Sequence, residues 1–175
     1  MTTTYEARAL RFAHRLATLF YGCVTLDDFQ YAVDYYNTYH ILKLRTAHGV
    51  SRFAVIRADY VIKFDMMPEG AWSDGQAGNN ESEARVYARA EAEGMAHLLA
   101  KVTQGEYNGI KFSIMPRVDH VGDESRSWDN YCTDEERKWL WYNVNDLHSS
   151  NVGYRNGKVC VIDYAWDAGE DEVWR

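Results

Sequence analysis

At 175 residues and 20.3 kDa, with 46% hydrophobic content, the chain is long enough and apolar enough to build one compact domain with a real core. A net charge of -7 and a pI near 5.3 argue against a nucleic-acid-binding surface, which is normally basic, and no signal peptide or run of membrane-spanning length is present. Cys23, Cys132 and Cys160 are odd in number and lack paired metal spacing, which argues against a disulfide framework or a zinc site and fits a reducing cytoplasm.

Residues 1–43 read as a helical pair. TYEARALRFAHRLATLFYG is amphipathic, with Leu10, Ala13, Leu16, Ala17 and Phe20 on one side. After Gly22, a second helix is capped at Thr25 and uses Leu26, Phe29, Val33 and Tyr36. The pair either buttresses a sheet or offers a partner-binding face.

Residues 44–118 read as a sheet with one helix. Short strands are expected over roughly Ile41–Thr46, Arg52–Arg57 and Tyr60–Met66. Between the first two, Gly49, Ser51 and Arg52 form a polar turn. In YVIKF, Lys63 points away from Ile62 and Phe64 by strand alternation. It is either a functional cation or a solvent-facing lysine on an edge strand. PEGAWSDGQAGNNE is a flexible connection. The segment NNESEARVYARAEAEGMAHLLAKV then fits a helix capped by Asn80, with Ala84, Tyr87, Met95, Leu98, Leu99 and Val102 recurring on its apolar side. Asn80 and Glu83 have capping-box spacing. A strand follows from Ile110 to Met115.

Residues 119–175 open with a connection around Val121 to Asp129. A helix over TDEERKWLWYN follows, where Thr133 and Glu136 have capping-box spacing. Next comes a polar loop, then two β-prone runs, Val152 to Tyr154 and Val159 to Ile162, joined by Asn156-Gly157. This hairpin brings Asp146, Asn151 and Asp163 to one end. A general base, an amide oxygen and a metal-binding carboxylate within mutual reach are parts that phosphoryl transfer needs.

The order helix, DLHSSN loop, hairpin, acid resembles the protein-kinase superfamily, in particular its aminoglycoside- and choline-kinase-like branch and the short kinases of some bacteriophages. The resemblance spans about residues 44–166 and is strongest over 145–165. It implies a single α+β domain: a minimal kinase-like fold with a small antiparallel sheet plus helices and a much reduced C-terminal lobe, because little chain follows Asp163. It also implies ATP and magnesium as cofactors. Asp146 would orient the attacking hydroxyl, and Asn151 and Asp163 would hold the metal. Lys63 would bind the α- and β-phosphates, with Glu83, or alternatively Glu81, as its partner. Gly49, Ser51 and Arg52 would contact phosphate, although the family's further glycines are missing. Val118 would offer a backbone contact to adenine, since Pro116 has no N–H. Val144-Asn145 stands where His-Arg is common, and Tyr164-Ala165 replaces Phe-Gly.

Two functions follow from this resemblance. One is a kinase acting on a protein, as in phage kinases acting in a host cytoplasm, with a small-molecule alcohol as the other acceptor class. The other is a catalytically inactive, kinase-derived module that binds a host protein. The abundance of aromatic residues (13 tyrosines, 6 tryptophans) supplies either core or exposed contact anchors. The sequence does not set the oligomeric state.

Overall fold

The computed structural model describes residues 4–49, 51–66, 79–120, 128–144, 147–155 and 158–164. The chain is α+β and divides into two compact units, one of residues 1–80 and 103–117, the other of residues 81–102 and 118–175.

The first unit contains helices α1 (Thr4–Leu19) and α2 (Leu26–Tyr39) and strands β1 (Arg45–His48), β2 (Arg52–Ile56), β3 (Tyr60–Asp65), β4 (Thr103–Tyr107) and β5 (Ile110–Pro116). The strands form one antiparallel sheet in the order β1-β2-β3-β5-β4. Period-2 alternation sorts its faces. Phe53 pairs with Phe64 and Phe64 with Phe112, while Val55 pairs with Ile62 and Ile62 with Ile114. These six side chains pack with Ala9, Ala13, Leu16, Ala17 and Phe20 of the N-terminal segment and with Phe29, Ala32 and Val33 of α2. Phe20 anchors the cluster, with its ring centroid 4.9 Å from that of Phe29, 5.0 Å from Phe64 and 5.8 Å from Phe53. The helical pair therefore buttresses the sheet.

Thr25 caps α2 as predicted, in a complete capping box with Asp28. Other details differ from expectation. Leu10 is exposed, and Ala9 takes the buried position. The first strand begins at Arg45 rather than Ile41, because the Leu44 N–H donates to Asn37 Oδ1 at 2.7 Å and ties this stretch to the end of α2. A strand not foreseen, β4, pairs with β5 through a turn in which Asn108 (φ 52°) and Gly109 (φ 78°) both have positive φ. That is the turn Asn-Gly favours.

The second unit begins within α3 (Asn79–Ala92), whose residues from Glu81 onward belong to it. It continues through a 3₁₀ turn (Ala96–Leu98), β6 (Asp119–His120), a second 3₁₀ turn (Trp128–Tyr131), α4 (Asp134–Asn143), a third (Ser149–Asn151), β7 (Val152–Arg155) and β8 (Lys158–Val161). The last strands form the predicted hairpin, extended by β6 into an antiparallel sheet of order β6-β7-β8. Its Asn156-Gly157 turn lies outside the described residues, as does most of the predicted connection 68–81.

Helix α3 is shorter than expected and turned to another face. It ends in a Schellman motif: Gly94 has φ 76°, its N–H donates to Glu91 O, and the Met95 N–H donates to Ala90 O at 2.7 Å. Val86 and Ala90 are its buried apolar positions, while Ala84 and Tyr87 are half-buried. Thr133 caps α4 in the predicted capping box with Glu136. Within this unit, Arg89 Nη1 donates to Asn143 Oδ1 at 3.2 Å, and His97 Nε2 lies 2.7 Å from Glu136 Oε1.

Candidate functional site

The predicted site residues fall in both units. Gly49, Ser51, Arg52 and Lys63 belong to the first unit; Glu83, Val118, Asn151 and Asp163 belong to the second. Asp146 lies outside the described residues.

Lys63 sits on β3, the central strand of its sheet, and is 7% exposed, so it is not a solvent-facing edge lysine. By register and alternation it shares a row with Ala54, Ser113 and Gln104, on the face opposite the helical pair. This row is polar where the other face is aromatic and aliphatic. Asn80 closes it: Nδ2 donates to Lys63 O at 3.3 Å, Oδ1 accepts from Ser113 Oγ at 2.8 Å, and its carbonyl accepts from Gln104 Nε2 at 2.8 Å. Asn80 is therefore not the helix cap that its position suggested. Its side chain is committed to the sheet, and its backbone N–H donates to Asp65 Oδ1 at 3.2 Å. Sequence reasoning missed Ser113 and this role of Asn80. The available signal was a serine in the otherwise apolar run FSIM.

The turn between β1 and β2 is closed by the Gly49 N–H donating to Arg52 O at 3.0 Å, and Ser51 O accepts from the Met66 N–H at 2.8 Å. Gly49 has open space where a Cβ would be, so packing within the chain does not require glycine there. Arg52 is buried at 7% exposure rather than projecting from the tip. The strand β5 runs one residue beyond expectation, through Pro116. Val118, two residues further on, is half-buried in the second unit.

In the second unit, Glu83 is fully buried. The end of the polar loop folds into the 3₁₀ turn at Ser149–Asn151, with the Asn151 N–H donating to His148 O at 2.9 Å. The Ile162 N–H then donates to Asn151 O at 2.8 Å, which sets Asp163 one residue beyond Asn151's partner across the hairpin. Asn151 and Asp163 thus lie at one end of β7–β8, as the hairpin predicts. Asn151 Nδ2 lies 3.0 Å from His148 Nε2. Donation to that ring nitrogen requires it to be unprotonated, and it turns the amide oxygen away from the ring. An amide oxygen and a carboxylate carried at one end of a hairpin are ligand types that suit a hard cation. Among the described residues, no group of three or more His, Cys, Asp or Glu could hold a metal on its own. Tyr164, buried, donates its hydroxyl to Ala100 O, and the Ala100 N–H donates to Val161 O at 2.8 Å. The tyrosine at this position thereby fastens the segment that carries Asp163 in a way that phenylalanine could not.

Among the described residues, no helix is long and apolar enough to cross a membrane. No family model matches the chain, and no curated protein does. Among solved structures, the chain is similar to WbdD as seen in a co-crystal with a kinase inhibitor, at 16% identity and a TM-score of 0.46. The match covers 71% of this chain and 32% of that one, so the chain spans about a third of WbdD's length. A likeness of this degree decides neither fold family nor function.

Proposed function

We propose that the chain is a minimal kinase-like phosphotransferase that uses ATP and magnesium to phosphorylate a protein hydroxyl, with a host protein as the target. The observation that carries this reading is Lys63, a buried lysine on a central strand, set in a polar row on the face away from the core. Burying a lysine costs several kcal/mol unless partners repay it, so such a residue is a functional candidate. The DLHSSN loop and the pairing of Asn151 with the strand that leads to Asp163 support the same reading.

Lys63 would neutralise the α- and β-phosphates, with Glu83 orienting it, while Gly49, Ser51 and Arg52 would lie along the phosphates and Val118 would meet adenine. Asp146 would orient the acceptor hydroxyl, and Asn151 and Asp163 would hold magnesium. The bound metal would supply charge neutralisation on the β- and γ-phosphates. The test is a thermal-shift titration with ATP and magnesium. A metal-dependent rise abolished by Lys63→Met and by Asp163→Asn is expected, because a ligand selective for the folded state must stabilise it. Phosphate transfer should be lost in Asp146→Ala. No rise at millimolar nucleotide would refute the reading.

One observation favours the second reading, a kinase-derived binding module. Tyr31, Tyr35 and Tyr39 recur every fourth residue on α2 and are 58–75% exposed, next to Ile41 at 97% and Leu42 at 69%. Partner capture lost in Tyr31→Ala/Tyr35→Ala but kept in Asp163→Asn would select it.

A further inference from the structure

At the end of the first unit's sheet where β2 turns into β3 lies an open cleft of about 480 Å³, lined by Arg8, Arg45, Ile56, Arg57, Ala58, Asp59, Tyr60 and Arg117. Four arginines and one aspartate line it, a formal local charge of +3 in a chain whose net charge is -7. Such concentration against the overall balance makes this cleft the natural seat for an anion. The Gly49 turn sits at the other end of β2, about 3.3 Å per residue away over that strand's five residues. The cleft is therefore separate from the predicted phosphate loop.

The arginines come from four separate segments, and two of the four side chains are anchored. Arg8 of α1 is ion-paired with Asp59. Arg57 is stacked over the Phe12 ring, 4.8 Å from its centroid, and its N–H donates to Tyr60 O at 2.9 Å. The Arg117 N–H donates to Asp59 O at 3.1 Å, which ties the end of β5 to the β2–β3 turn while its side chain stays exposed. Arg45 pairs with Ile56 across β1–β2 and is also exposed. Burial pushes the Tyr60 phenol up, with the nearby Arg57 charge opposing, so its hydroxyl remains protonated.

We propose that this cleft binds an oligophosphate, that is, two or three linked phosphates. Guanidinium forks match phosphate oxygens in bidentate geometry, and arginine is the residue suited to this recognition. A lone phosphate monoester carries about -1.5 to -2 near neutrality and leaves cationic surplus against +3, whereas a chain of two or three linked phosphates carries enough charge to offset it fully. The volume is that of a small-ligand site, and beside its five charged residues the lining offers only Ile56, Ala58 and Tyr60, which leaves little to hold a hydrophobic molecule.

The experiment is calorimetric titration of the full chain with inorganic tripolyphosphate in EDTA, so that no magnesium-dependent site contributes. Saturable binding is expected, weakened at least tenfold in Arg45→Gln/Arg117→Gln and unchanged in Arg11→Gln, an exposed α1 arginine outside the cleft. If the double variant does not fold, each single variant carries the test, with a threefold or greater loss expected. Arg117→Lys, which keeps charge and loses the fork, should also weaken binding. A nucleoside triphosphate titrated in the same EDTA buffer distinguishes the source. Equal affinity marks a free phosphate chain, tighter affinity marks a nucleotide, and either depends on the same arginines. The proposal is overturned by no binding, by equal binding in the double variant, by an equal loss in Arg11→Gln, or by citrate binding as tightly as tripolyphosphate.

Discussion

Replacing Asn80 with alanine should destabilise the first unit well beyond the loss of an ordinary surface amide. Asn80 is 2% exposed, and Ser113, whose hydroxyl it receives, is 0% exposed. Truncation leaves that hydroxyl buried without its acceptor, a cost of about 1–3 kcal/mol. The 3.3 Å bond to Lys63 O is long and adds about 0.5–1 kcal/mol. The backbone bonds to Asp65 and Gln104 survive, and alanine's better helix propensity returns roughly 0.5 kcal/mol. The net expectation is a loss of about 1–3.5 kcal/mol. The tryptophans are shared between the units, Trp72 within the first and Trp128, Trp139 and Trp141 within the second, so their fluorescence mixes both. Urea unfolding followed by amide hydrogen exchange in β3 and β5 reads the right unit. A double-mutant cycle with Ser113→Ala should show coupling of about 1 kcal/mol or more. A loss below about 0.5 kcal/mol, or strict additivity with Ser113→Ala, would refute the claim that this hydrogen bond ties the start of α3 to the sheet.

Further outcomes follow from other contacts. Gly105→Ala should lower stability by about 1–3 kcal/mol in denaturant titration, because a Cβ there would sit 2.5 Å from the Phe112 ring, itself packed in the core. His97 and the Thr133 N–H, in that order, hold the Glu136 carboxyl below its usual range. Its folded-state pKa is depressed, so its contribution is present above the ordinary glutamate value of about 4.3 and is lost as pH falls through the lower folded value. Glu136→Gln should flatten that acid limb of the stability–pH curve. Burial pushes the Cys160 thiol up to about 11, against a smaller opposing effect of Arg155. At pH 8 about a thousandth of it is thiolate, so mass spectrometry should find iodoacetamide on Cys23 well before Cys160.

Local, self-contained signals were legible in the sequence. The cap at Thr25 and the Thr133–Glu136 capping box formed as predicted, since each closes within one helical turn and needs nothing from elsewhere. The β7–β8 hairpin was equally local. The strand β4 was missed although its Asn108-Gly109 turn carries the same signal, because TQGEY has almost no apolar alternation to announce a strand. The face of α3 was misread because periodicity was counted through Gly94, where backbone conformation ends the helix before Met95 and Leu98 can extend its stripe. The role of Asn80 was invisible for a different reason. Its partners Lys63 and Ser113 are 17 and 33 residues away, and the same residue type serves equally well as a local cap.

That last case bears on how this sheet can keep a lysine buried. A central strand flanked by β2 and β5 would ordinarily read as apolar on both faces, and on one face it does: Ile62 and Phe64 lie in the aromatic core with Phe20. On the other face Lys63 interrupts the pattern, and its row neighbours across the ladder are an alanine, a serine and a glutamine rather than branched aliphatics. The polar row and its closure by Asn80 cost stability that an apolar row would have kept, since the serine and asparagine groups gain little net energy from bonding each other. A sequence selected only for stability would fill that row with valine and leucine. Under the function proposed above, such a polar row beside Lys63 would serve a cation held for a ligand rather than for the fold.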